Sequence, residues 1–148
     1  FGGRVALHLA VTHTIEINKL ILIGSAGIKP KRGFKYFFNI TKYKILKKIS
    51  PKKASNMGSE DYKKLSNIMK ATFINIVNSD CTQLCKQIEC QTLIIFGKND
   101  KETPICMAKK LNKLIKNSKL IIIDNAGHFV YLDALSLVSN FINLFLNS

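Results

Sequence analysis

The sequence predicts an α/β domain built on a parallel sheet. Two observations carry this. Three short apolar runs, residues 19–24 (KLILIG), 92–97 (TLIIFG) and 119–123 (KLIII), are continuous rather than alternating, as strands buried on both faces are. Segments of helical period flank them, and strands that alternate with helices form parallel sheets covered on both sides. A length of 148 residues with 47% apolar content suffices for one sizeable core and excludes a disordered chain. With only 8 Gly and 3 Pro, collagen-like and linker-like classes are excluded too.

Residues 2–13 (GGRVALHLAVTH) read as a helix. Gly3, Ala6 and Ala10 share one face, small enough to lie close on a sheet. The first strand follows, and residues 25–33 form a loop broken by Gly27 and Pro30. Residues 34–80 leave the strand–helix rhythm. They are aromatic and lysine-rich, are broken by Pro51, and then place Tyr62, Leu65, Met69 and Phe73 near helical spacing. This predicts a helical cap over 34–80, with 1–33 and 81–148 as the core. Beyond the second strand, Thr103 as N-cap and Pro104 at the first helical position open a helix. Its inward stripe is Ile105, Ala108, Leu111 and Ile115. Beyond the third strand, residues 131–146 predict one final helix with Ala134, Val138, Phe141 and Phe145 inward.

Charge and cysteine usage narrow the function classes. Lys and Arg number 23 against 9 Asp and Glu, a net charge of +14. No RNA-binding aromatic pattern or recognition helix accompanies the lysines, so nucleic acid is not the expected partner. Cys81, Cys85, Cys90 and Cys106 have neither paired spacing nor a His near the first three. No metal site is expected from them, and free thiols of a cytoplasmic protein are. The apolar run 129–146 contains Asp133, Asn140 and Asn143 and is short for a membrane span, so no span is expected.

Ligands of open α/β sheets bind beyond the C-terminal strand ends. Two motifs fall there: Gly97-Lys98-Asn99-Asp100 and Asn125-Ala126-Gly127-His128. A carboxylate that accepts from one imidazole nitrogen fixes the tautomer and leaves the other nitrogen as a general base. Asp100 and His128, on adjacent strands, are therefore expected to meet at roughly 2.6–3.2 Å. Asp124 is the rival acid, but it lies only four residues before His128, at the strand end.

With the opening Phe1-Gly2-Gly3 and its small-residue helix, these motifs make the sequence resemble the C-terminal half of an α/β-fold hydrolase over essentially its whole length. FGGRVALHLA is similar to the helix after the nucleophile elbow, and KLILIGSAG to the next strand and loop. Residues 34–80 are similar to the cap. TLIIFGKNDKETP is similar to the acid strand and turn, and IIIDNAGHFVYLD to the histidine segment. The resemblance implies that Asp100 is the triad acid and His128 the base. It implies that the Phe1 backbone N–H is an oxyanion-hole donor. Gly2 would close a G-x-S-x-G elbow whose serine lies one residue before Phe1. Ser25 and Phe129 are implied as pocket residues. Ser25 is also a rival nucleophile, but it lacks the elbow spacing and follows the wrong strand. A small ester-like substrate, no cofactor, no metal and an inactive isolated chain complete the expectation. The alternative is a degenerate, non-catalytic binding module of the same fold.

Overall fold

Three parallel strands, β1 (Lys19–Ile23), β2 (Gln91–Gly97) and β3 (Ser118–Ile123), pair in the order β1-β2-β3 in the computed structural model. Among the described residues, the helices that flank these strands in sequence are α1 (Gly2–Leu9), α2 (Thr82–Cys85), α3 (Ile105–Leu114), α4 (Val130–Asp133) and α5 (Leu135–Leu146). The structure describes residues 2–12, 16–28 and 79–148, with positions 66, 69, 70 and 75. The chain divides into two compact units, Phe1–Lys29 with Ser79–Ser148, and Pro30–Asn78. The cap expected over 34–80 lies almost wholly outside the described residues, and so does Phe1.

Strand periodicity decides which side chain goes to which face, since successive residues point to opposite sides. On one face Leu20, Leu22, Ile94 and Phe96 pack with Leu7 of α1, Cys85 of α2 and Ala108 and Leu111 of α3. On the other, Leu93, Ile95 and Ile123 pack with Val130 and Val138, backed by Ala134, Phe141 and Phe145. β2 is buried along six of its seven residues, as the continuous apolar run implied. The parallel register Ile23↔Ile95↔Ile121 brings all three C-terminal strand ends to one edge of the sheet.

Four local readings need correction. The first helix ends at Leu9 and is followed by turn bonds from the Val11 N–H to His8 O and from the Thr12 N–H to Leu9 O, while His13 lies outside the described residues. Thr103 is not the cap of α3. Pro104 holds that position with extended backbone and no side-chain cap, because the Thr103 hydroxyl is bonded elsewhere. The final helix is two pieces, broken at Ala134 (φ −143°, ψ 50°). No Gly or Pro announces that break. The short first piece is anchored from outside, by a bond from the Gly127 N–H to the Asp133 carboxylate (2.7 Å). The inward stripe of α3 also gains Met107, which is buried, while Ile105 is only half-buried.

All four cysteines are free; Cys81 and Cys85 are buried, Cys90 is half-buried and Cys106 exposed. Burial pushes the Cys81 thiol up, and pushes Cys85 up to about 11 with help from the neighbouring Cys81. Among the described residues no group of His, Cys, Asp and Glu is arranged to hold a metal. No described helix is long and apolar enough to cross a membrane.

Candidate active site

The turn after β2 is built to deliver Asp100. Its Lys98 N–H donates to Ile123 O (2.8 Å) and its Asn99 N–H to Ala126 O (2.9 Å), so this turn is laced to the end of β3 and the histidine loop. Gly97 makes that lacing possible. A Cβ there would overlap the carbonyl oxygens of Gly127 and Ala126. Gly24, at the end of β1, has φ +52°, and a Cβ there would stand 3.0 Å from His128 O and 3.4 Å from Nδ1. Glycine suits both the left-handed backbone and the close approach.

The histidine loop is held by Asp133, the acidic residue after the Gly-His pair, through the Gly127 N–H. Asn125 adopts left-handed backbone (φ 59°), which asparagine tolerates better than most residues. His128 thereby presents Nδ1 to Asp100 Oδ2 at 2.9 Å. The imidazole is about a quarter exposed, whereas the Asp100 side chain is fully buried.

A buried carboxylate needs partners, and Asp100 has four. Oδ1 accepts from the backbone N–H groups of Glu102 and Thr103, both at 2.8 Å. Oδ2 accepts from the Thr103 hydroxyl at 2.5 Å and faces His128 Nδ1. Burial alone would raise this carboxyl's pKa. The hydrogen bonds from the Thr103 hydroxyl and N–H, from His128 and from the Glu102 N–H outweigh burial and hold it below the ordinary carboxylate value. An ionised Asp100 calls for a donor at Nδ1, so Nε2 carries the free lone pair of the neutral ring. The carboxylate of Glu102, on a mostly exposed side chain, stands 3.5 Å from Nε2.

The other sequence candidates are placed as follows. Asp124 points away to solvent, paired with Lys98 at 2.7 Å on the surface. Ser25 is buried, its hydroxyl 3.3 Å from Ile23 O and its side chain against Gly3. Gly2 opens α1 and is exposed. Phe129 is exposed and sits edge-on to the His128 ring, with centroids 5.3 Å apart. Thr103 and Glu102 were not singled out as site residues from sequence. The available signal was the Asp-x-x-Thr spacing, in which an Asp side chain bonds backbone N–H groups just ahead of it.

Comparison with known proteins agrees with this architecture. A profile for the family described as TAP-like protein matches residues 77–148. The AB hydrolase superfamily protein YisY of Bacillus subtilis (strain 168) is 25% identical over 171 aligned residues, covering 99% of this chain and 64% of its own length. The crystal structure of a serine hydrolase involved in carbazole degradation superposes with a TM-score of 0.69 at 22% identity, covering 99% of this chain and 60% of the other. This chain has the α/β-hydrolase fold. An esterase from Exiguobacterium antarcticum shares that fold, with a TM-score of 0.64 at 20% identity over 99% of this chain and 63% of its own. The chain thus spans under two thirds of the length of each of these α/β hydrolases. The three parallel strands with their flanking helices correspond to the C-terminal part of the α/β-hydrolase fold.

Proposed function

We propose that Asp100 and His128 are the acid and base of a Ser-Asp-His triad that hydrolyses an ester-like bond of a small substrate. The observation that carries this reading is the 2.9 Å contact of a buried, ionised Asp100 with His128 Nδ1, which leaves Nε2 free to take a proton. The nucleophile of the reading is a serine immediately before Phe1, with the Phe1 N–H in the oxyanion hole. His128 Nε2 accepts the serine proton as the oxygen attacks the ester carbonyl. The same proton then passes to the departing alkoxide, leaving an acyl-enzyme. Water, deprotonated by Nε2, attacks that ester, and the proton then passes from Nε2 to the serine oxygen as its bond to the acyl carbon breaks and the acid leaves.

Two measurements test this. Reading the codon before Phe1 in the encoding gene should give Ser in a Gly-x-Ser frame. The full-length protein should hydrolyse a short-chain aryl ester, with turnover falling at least about a thousandfold in His128→Ala. Gly or Ala at the position before Phe1, with no turnover, points instead to a non-catalytic binding module of this fold.

A further inference from the structure

We infer that Thr103 is a positioning residue of the Asp100–His128 pair, gripping both oxygens of the carboxylate and supplying the imidazole with a second acceptor. The inference rests on the triad reading above. Thr103 is buried, and its backbone N–H donates to Oδ1 while its hydroxyl donates to Oδ2. One residue therefore sets the plane of the carboxylate. A single N–H would leave the carboxylate free to rotate about the bond to its Cβ.

The hydroxyl does more than hold Asp100. It has one proton, and the 2.5 Å contact assigns that proton to Oδ2. The Thr103 oxygen then meets His128 Nδ1, 3.3 Å away, with a lone pair. The Nδ1–H thus points between two acceptors, Asp100 Oδ2 and Thr103 Oγ1. A ring with its proton on Nε2 would set a bare Nδ1 lone pair against both oxygens. Thr103 accordingly biases the ring toward the tautomer whose Nε2 is a base. The same oxygen lies 3.2 Å from the Gly24 carbonyl at the end of β1, the weaker of the two acceptors open to its single proton. The helix that follows does not explain the residue, because α3 starts without a side-chain cap.

The test uses the full-length protein with two substitutions. Thr103→Val keeps the shape and removes the hydroxyl, while Thr103→Ser keeps the hydroxyl. On a short-chain aryl ester, Thr103→Val should lower kcat by about tenfold to a hundredfold, as slight misplacement of a catalytic group does, with KM little changed. Thr103→Ser should restore most of the loss. The low-field proton resonance of His128 Nδ1–H should be present in the wild type and Thr103→Ser and shifted or broadened in Thr103→Val. Thermal melting of both variants reports folding separately. Wild-type turnover matched by Thr103→Val with the resonance unmoved overturns the inference. Equal losses in both variants that follow only their melting temperatures also overturn it, since they mark a structural role. No turnover in the folded wild type defeats the triad reading first and takes this role with it.

Discussion

Every partner of Asp100 is a donor, so its replacement by asparagine is a severe test of the site. The amide nitrogen of Asp100→Asn must face an N–H, the Thr103 hydroxyl or His128. If it faces His128, the ring proton moves to Nε2 and the base is lost. On the proposed triad reading, ester hydrolysis by the full-length protein should then lose roughly three to four orders of magnitude in kcat. The donor–donor conflict should also destabilise the fold by about 1–3 kcal/mol in urea unfolding. The pH dependence follows from the depressed carboxyl. Its folded pKa lies below the ordinary 3.8, so its contribution to stability is complete above about pH 4 and is lost as the pH falls through the folded value. The stability gap between wild type and Asp100→Asn should therefore hold from pH 7 to about pH 4.5 and shrink by pH 3. Gly97→Ala probes the same region from the backbone side. The added methyl meets two carbonyl oxygens that cannot move without unlacing the turn from the histidine loop. We expect a loss of about 3 kcal/mol or more in denaturant midpoint measurements.

At the scale of elements, the helix faces divide sharply. Leu111 of α3 is fully buried against the sheet, and Leu111→Ala should cost about 2–5 kcal/mol. Leu132 of α4 is 71% exposed, and Leu132→Ala should stay within about 0.5 kcal/mol in the same urea titration. The strands were legible because burial on both faces leaves an unbroken apolar run, and each observed boundary lies within one residue of its run. The turn that joins Asp100 to His128 was legible for a similar reason, since parallel neighbours put their loops side by side. What stayed hidden depends on contacts between distant segments. The break at Ala134 is anchored by Asp133 reaching Gly127, and no local breaker marks it. Thr103 has good cap chemistry in the right place, and a buried carboxylate outcompetes the helix for its hydroxyl.

For the whole molecule, charge and sulfur are unevenly spread. Twelve of the 23 basic residues but only two of the nine acidic ones fall within Pro30–Asn78, so the net charge of +14 belongs mainly to that unit and not to the sheet that carries the site. The thiols divide by exposure. Cys106 is open to solvent, and Cys81 and Cys85 are sealed in the core under α1 and α3 with their thiolates disfavoured. A brief pulse of iodoacetamide on the native protein, read by mass spectrometry, should alkylate Cys106 first and leave Cys85 untouched. The two sealed sulfurs, fixed by α1, α2 and α3 around one face of the sheet, then serve as a gauge. Cys85 acquires its label only when that packing opens, so its slow modification under native conditions reports the fraction of molecules in which the packing stands open. Such a reading needs no dye or denaturant, and it can be taken in a crude extract, where the stability of this fold has its practical meaning.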